Sequence, residues 1–166
     1  MYTASKAALA TLVLALGAVA LRAQGVNGSI SATATVQSPI TVTGAQNLAF
    51  GNVFPGVAKT VAYSDATNAG RFDVTGQGSA AVTYSFTLPT NLTSSGNNLP
   101  IASWTGYLNT ANSTAGGSAI TPSATPAGAT LSAGGALYVF VGATVTPPSN
   151  LPAGSYTGTV TLTVSY

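Results

Sequence analysis

The stretch YTGTVTLTVSY, residues 156–166, decides the fold. Tyr156, Val160, Leu162, Val164 and Tyr166 fall on one face of an extended chain with Gly158 in line, and threonine or serine fills the other face. This period of two is typical of a β-strand that turns one side to a core and the other to solvent. The stretch therefore predicts a sheet protein.

The rest of the chain repeats this pattern in short segments between turns rich in glycine and proline. We expect strands at residues 29–36, 40–43, 48–53, 60–63, 71–75, 81–88, 101–108 and 136–145. Residues 71–75 place Phe72 and Val74 inward, and residues 136–145 are apolar on both faces, which predicts a central strand. Eight or nine short strands indicate an all-β, Ig-like antiparallel β-sandwich. Residues 109–129 are low in complexity and predict a long exposed loop.

The first residues of the chain have the composition of a secretory signal peptide. Lys6 precedes an apolar run over residues 7–21, and about 15 residues is shorter than the roughly 20 that span a membrane. We expect a signal peptide at residues 1–23, cleaved after Ala23 or Ala20. Residues 24–38 then form an N-terminal strand with its hinge, and residues 39–166 form the sandwich domain. The protein is expected outside the cell or on its surface, meeting a membrane only during export.

Charge is almost absent once the signal peptide is removed. The net charge of +2 includes Lys6 and Arg22, so four charged side chains remain: Lys59, Asp65, Arg71 and Asp73. Nucleic-acid binding needs a basic patch, which this chain lacks. The sequence also has no histidine and no cysteine, so a disulfide framework and the usual nucleophile-and-base pairs are excluded. We therefore expect no enzyme, no catalytic or metal-binding residue, no cofactor and no small-molecule substrate.

The remaining charges are expected to make surface contacts. Asp65 with Arg71 across a turn is one candidate ion pair. A calcium site at Asp65, Asn68 and Asp73 is the alternative, but two carboxylates supply few of the six to eight oxygens that calcium takes.

Apolar and polar residues alternate within residues 27–36, near the start of the expected exported chain. In one interpretation they form the first strand of their own domain. In the other they leave that domain and complete the sheet of a neighbouring subunit, a mode in which main-chain hydrogen bonds supply affinity and alternate side chains enter pockets. The inserted residues would be Ile30, Ala32, Ala34 and Val36. The hinge would be Gln37, Ser38 and Pro39, because proline cannot donate to a ladder.

Six segments carry a resemblance to a known family: ATATVQSPITVT, NLAFGNVFPG, GRFDVTGQG, YSFTLP, GGALYVFVGATV and AGSYTGTVTLTVSY. Through them the exported chain resembles the bacterial secreted family catalogued as domain of unknown function 4402. The opening SISATATVQSPITV and the closing AGSYTGTVTLTV are also similar to the ends of pilins from alternative chaperone–usher systems, of the colonisation-factor and spore-coat-U types. The pilin resemblance implies an N-terminal donor strand and a linear fibre, although this chain lacks the cysteines of the spore-coat-U type.

Two functions follow as expectations. The first is a structural subunit of an extracellular filament or pilus, a homopolymer joined by strand exchange. The alternative is a monomeric, secreted or surface-exposed adhesive module that binds a surface glycan in a groove lined by Trp104 and Tyr107 or by nearby loops.

Overall fold

The computed structural model describes residues 25–166, and this part of the chain is all β with no helix. Ten strands follow in order: β1 (Thr41–Gln46), β2 (Lys59–Val61), β3 (Gly70–Thr75), β4 (Ala81–Thr87), β5 (Asn91–Ser94), β6 (Asn97–Asn109), β7 (Ser118–Ile120), β8 (Ala127–Thr130), β9 (Ala136–Val145) and β10 (Thr161–Ser165). None of these residues belongs to a helix long and apolar enough to cross a membrane. The predicted signal peptide, residues 1–23, and its cleavage sites lie outside the described residues.

The strands form two antiparallel sheets arranged as a β-sandwich. The larger sheet has the order β1-β3-β9-β6-β5, with β2 also paired to β9 and β7 also paired to β6. The smaller sheet has the order β10-β4-β8. Strand β9 bonds to β3 and β2 along one edge and to β6 along the other. The prediction of a central strand at residues 136–145 is therefore confirmed, with the same bounds.

The core divides into two clusters along the inner face of β9. The first core cluster fills the space between the two sheets and contains Val74, Val82, Tyr84, Phe86, Leu108, Leu131, Leu137, Val139, Val141 and Leu162. The second core cluster contains Phe50, Val61, Leu99, Ile101, Ala143 and Val145. Trp104 is partly buried and packs against both clusters. Strand β9 contributes alternate residues to each cluster, as its period of two requires.

A hairpin that the sequence prediction missed joins β5 to β6. Ser94 pairs with Asn97, so the loop contains only Ser95 and Gly96. Both residues have positive φ, at 46° and 83°. Two consecutive positive values are typical of a type I′ turn, whose twist matches that of the flanking strands. No strand was predicted between residues 88 and 101.

Three segments differ from their predictions. Residues 29–36 and 48–53 contain no strand, because an alternating segment becomes a strand only where a neighbour completes its hydrogen bonds. Conversely, the predicted loop at residues 109–129 contains β7 and most of β8. These strands consist of alanine, glycine, serine, threonine and one isoleucine, so they lack a clear alternation and are held mainly by pairing to β6 and β4.

The chain divides into the units Met1–Ala34 and Thr35–Tyr166, and all ten strands belong to the second. Residues 25–40 contain no strand, and their side chains are exposed as far as Pro39. The side chains of Ile30 and Val36 are 96% and 93% exposed.

Gly142 permits a close approach at the centre of β9. A Cβ atom there would overlap backbone atoms of Val61, Ala62 and Tyr63, which pass beside it. Backbone yields less easily than the end of a flexible side chain, so Gly142→Ala should lower the free energy of unfolding by about 1–3 kcal/mol. Denaturant titration measures this change. Gly128→Ala is the matched control, because a Cβ at this strand position meets nothing within 4 Å; equal losses in the two variants would contradict the prediction.

Candidate functional site: the open edge of the sandwich

Strand β10 is one of the two edge strands of the smaller sheet, and β8 is the other. Strand β10 pairs with β4 through the register Thr161↔Thr87 to Ser165↔Thr83, and no other strand of the described chain pairs with its second edge. Leu162 is buried, while Val160 and Val164 are only partly buried. The alternation predicted for residues 156–166 therefore holds for residues 160–165, with the inner face incompletely covered.

The backbone of β10 offers hydrogen-bonding groups along this second edge. The N–H of Phe86 donates to the carbonyl of Ser123, at 2.8 Å, on the side of β4 away from β10. Phe86 lies opposite Leu162, so these two residues form a pair without mutual hydrogen bonds. Because the direction of the backbone groups alternates along a strand, the N–H and C=O groups of Leu162 and Val164 point away from β4. They face the open edge and are available to another strand.

A groove of about 720 Å³ runs beside the segment that leads into β10. We call it the edge groove. Its lining includes Val141 of the first core cluster and Phe50, Leu99 and Ile101 of the second. The groove thus separates two parts of one hydrophobic core. Partly buried apolar side chains complete its walls: Leu48, Val53, Phe72, Leu92, Tyr156 and Val160.

The side chains of the predicted donor residues are exposed in this structure. Ile30, Ala32, Ala34 and Val36 are all exposed, and they alternate with the exposed residues Ser31, Thr33 and Thr35. An exposed strand-like segment with four apolar side chains at spacing two can bury one complete face in a suitable partner. Their role as donor residues stays a prediction.

Ser38, at the centre of the predicted hinge, is held by two side chains. Its N–H donates to Oε1 of Gln77 at 3.3 Å, and its carbonyl accepts from the hydroxyl of Tyr166 at 2.5 Å. The same tyrosine oxygen accepts from the N–H of Gln77 at 2.7 Å. We call Ser38, Gln77 and Tyr166 the exit clamp. It fixes where residues preceding Ser38 leave the domain, beside the end of β10.

The four charged side chains in residues 25–166 do not form a catalytic or metal-binding cluster. Arg71 pairs with Asp73, Nε to Oδ1 at 2.8 Å, because the two residues share one face of β3. The predicted pairing of Arg71 with Asp65 is therefore wrong. Asp65 instead accepts from the N–H groups of Thr67 and Asn68, both at 3.0 Å, and caps their turn. No group of three or more metal-ligating residues occurs in residues 25–166.

The aromatic residues proposed for glycan binding lie away from the edge groove. Trp104 packs against both core clusters. Tyr107 is buried, stacks on Tyr63 at 5.3 Å between ring centroids, and accepts through its hydroxyl from the N–H of Gly117 at 2.7 Å. Neither side chain lines the groove.

Tyr166→Phe tests the exit clamp. The phenylalanine keeps the ring but loses the hydroxyl that bonds to Ser38 and Gln77. Because water can partly replace these exposed bonds, the free energy of unfolding should fall by only about 1 kcal/mol. Amide hydrogen exchange at Gln77 should accelerate as well. The matched control is Tyr138→Phe, since the Tyr138 hydroxyl makes no side-chain hydrogen bond in residues 25–166; an unchanged exchange rate at Gln77 would contradict the clamp.

Asp65 makes stability depend on pH in the acidic range. Hydrogen bonds from the Asn68 side chain and from the N–H groups of Thr67 and Asn68 hold the pKa of Asp65 below its ordinary value. The stabilisation is complete above the pKa of the unfolded chain and disappears as the pH falls through the lower pKa of the folded chain. Asp65→Asn should therefore flatten the acid limb of a stability–pH curve, measured by denaturant titration. An acid limb identical to that of the wild type would show that Asp65 makes no such contribution.

Comparison with known families identifies the chain. The family model described as Domain of unknown function (DUF4402) matches residues 28–166. The match covers most of the sequence, so the chain belongs to this family, as the sequence segments suggested. No curated protein matches the chain.

Proposed function

We propose that this member of the DUF4402 family is a structural subunit of an extracellular filament, in which residues 27–36 of one copy enter the edge groove of the next. The domain would then be an Ig-like sandwich that lacks one edge strand. A neighbouring copy would supply that strand, in the manner of donor-strand complementation in pilins. The resemblance of the two ends of the chain to pilin ends supports this proposal.

The observation that carries the proposal is an unpaired strand edge that continues, along the preceding residues, beside an open groove in the core. The outward N–H and C=O groups of Leu162 and Val164 are a template for one more strand. Next to this edge, Phe72, Leu92 and Val160 remain partly exposed and line the apolar groove. A strand with apolar residues on one face would satisfy the backbone groups and cover these side chains at once.

Residues 27–36 have the length and the pattern for this role. Ten residues in extended conformation span about 33 Å, which matches the ten residues 156–165 along the open edge. Ile30 and Val36 would each gain about 1.5–3 kcal/mol from complete burial, and the two alanines less. The small Ala32 and Ala34 allow the donor backbone to come close to the groove floor.

A net charge of zero favours the assembly of identical copies. Lys59, Asp65, Arg71 and Asp73 carry no net charge together, so approaching subunits have no net repulsion to overcome. None of these residues lines the edge groove. Export through a signal peptide at residues 1–23 belongs to the same proposal, since the filament would form outside the cell.

A peptide complementation experiment tests the proposal. Protein lacking residues 24–36, with the signal peptide also removed, has an empty groove and no donor. Adding a peptide of residues 27–36 should raise its thermal midpoint in proportion to the logarithm of peptide concentration above the Kd. A peptide with Ala32→Asp should lose this effect, because it would bury a charge. The matched peptide with Thr33→Asp should keep it, because residue 33 faces solvent.

Full-length exported protein provides the second measurement. Electron microscopy should show filaments for the wild type and for Thr33→Asp, and monomers for Ala32→Asp. Both side chains are exposed in the single chain, so neither variant should unfold the domain. The proposal would be refuted if the wild type were strictly monomeric and no peptide changed the thermal midpoint of the truncated protein.

A further inference from the structure

We infer that the turn Phe54-Pro55-Gly56-Val57 is a second contact between subunits, which packs against the exit-clamp end of the next copy. We call this turn the tip and the region of Ser38, Gln77 and Tyr166 the base. The inference rests on the proposed function and adds to it an interface outside the groove.

The tip exposes apolar side chains on a fixed backbone. Phe54 is 69% exposed and Val57 is 58% exposed. The N–H of Val57 donates to the carbonyl of Phe54 at 3.1 Å, and the N–H of Gly56 donates to the carbonyl of Pro147 at 3.0 Å. Gly56 has a φ of 77°, which this closed turn requires. The aromatic side chain is therefore presented by an ordered turn, and its exposure calls for a partner.

The tip and the base lie at opposite ends of β9. The tip is bonded to Pro147, just after β9 ends at Val145. At the other end, the N–H of Gly76 donates to the carbonyl of Gly135, just before β9 begins, and Gln77 next to Gly76 bonds to Tyr166. Ten residues of strand separate the two regions by about 33 Å. Val53, next to Phe54, lines the edge groove, so the tip borders one end of that groove.

The direction of the inserted strand decides which region of the neighbour meets the tip. Strand β10 runs from the tip end towards the base, where Tyr166 lies. An antiparallel donor strand runs the other way, so its last residue, Val36, reaches the tip end of the receiving copy. Only Gln37, Ser38 and Pro39 then remain before the donor's own domain begins. Three extended residues span about 10 Å, so the base of the donor copy must lie against the tip of the receiving copy.

A parallel donor strand leads to a different assembly. Val36 would then lie at the base of the receiving copy, and the two bases would meet. Each copy could insert its segment into the other, which closes a symmetric dimer and stops growth. The antiparallel arrangement is favoured for two reasons. Antiparallel pairs are somewhat more stable per residue, and the neighbour of β10 within its own sheet is already antiparallel.

The antiparallel geometry gives a head-to-tail contact that does not close. The tip contributes Phe54 and Val57, and the base contributes Tyr166, whose side chain is 48% exposed. Aromatic side chains are well suited to subunit contacts because they bury a large area with few rotatable bonds. Each added copy presents a free tip or a free base to the next, which is the condition for an open filament.

Cysteine crosslinking tests the strand direction. The natural chain has no cysteine, so introduced pairs are unique. With Val36 beside Tyr156, Thr35 lies opposite Thr157, whose backbone groups already bond to Thr93. Thr35 and Thr157 then form a pair without mutual hydrogen bonds, whose Cα atoms approach to about 4.5 Å and suit a disulfide. Full-length exported T35C/T157C protein should give a ladder of covalent oligomers on a non-reducing gel after mild oxidation. The matched control T35C/S165C, with both side chains also exposed, should give none.

Substitution of Phe54 tests the tip itself. Phe54→Ser removes the exposed aromatic side chain, and Phe54→Leu keeps an apolar one. Filaments of Phe54→Ser should dissociate about tenfold faster in dilute denaturant than wild-type filaments, whereas Phe54→Leu filaments should stay close to the wild type. Circular dichroism of the monomers checks that both variants are folded.

The outcomes separate the two proposals. A T35C/T157C ladder with unchanged dissociation of Phe54→Ser filaments refutes the tip contact but not the donor strand. Covalent dimers from T35C/S165C show the parallel arrangement and also refute the tip contact. A disulfide within one chain, or no disulfide in either variant, refutes both the tip contact and the filament.

Discussion

The backbone ladder around β9 is the constraint on which the rest of the domain depends. This strand bonds to β3 and β2 on one side and to β6 on the other, and its inner face supplies side chains to both core clusters. With no disulfide, this ladder and the core beneath it stabilise the fold. Gly142 lets the chain near Tyr63 pass close beside β9, whereas β10 pairs with another strand on one edge only.

The same arrangement explains why the edge groove is open. The inner face of β9 can be covered only by the opposite, smaller sheet, which has three strands against seven in the larger sheet. The smaller sheet therefore covers the first core cluster and leaves part of the boundary with the second cluster exposed. The groove is open because the smaller sheet has too few strands to cover it. Its apolar lining consists of core side chains that no strand covers.

Hydrophobic patterning predicted the strands that have large apolar side chains. Residues 136–145, apolar on both faces, form a strand with the predicted bounds, whereas the alternating residues 156–166 form a strand only at Thr161–Ser165. Strands β7 and β8 were missed because Ser118, Ala119 and Ala127–Thr130 carry almost no hydrophobic alternation, and pairing alone holds them. The edge groove could not be predicted, because it depends on which strand lacks a partner. The order of strands in a sheet decides this, and periodicity does not give that order. The exit clamp joins residues 128 positions apart, and only the folded chain brings Ser38 and Tyr166 together.

The exit clamp also has a mechanical consequence. Tension along a filament built in the proposed way would pass from a donor strand along the backbone through Ser38 into β1, and the Tyr166 hydroxyl would tie Ser38 to β10, which holds the next donor strand. The pull would act along the strands, so the hydrogen bonds of each ladder would be loaded together and would not open one after another. A chain with no covalent crosslink would then resist extension through shear of its strands, with Ser38 as the point where force enters each domain.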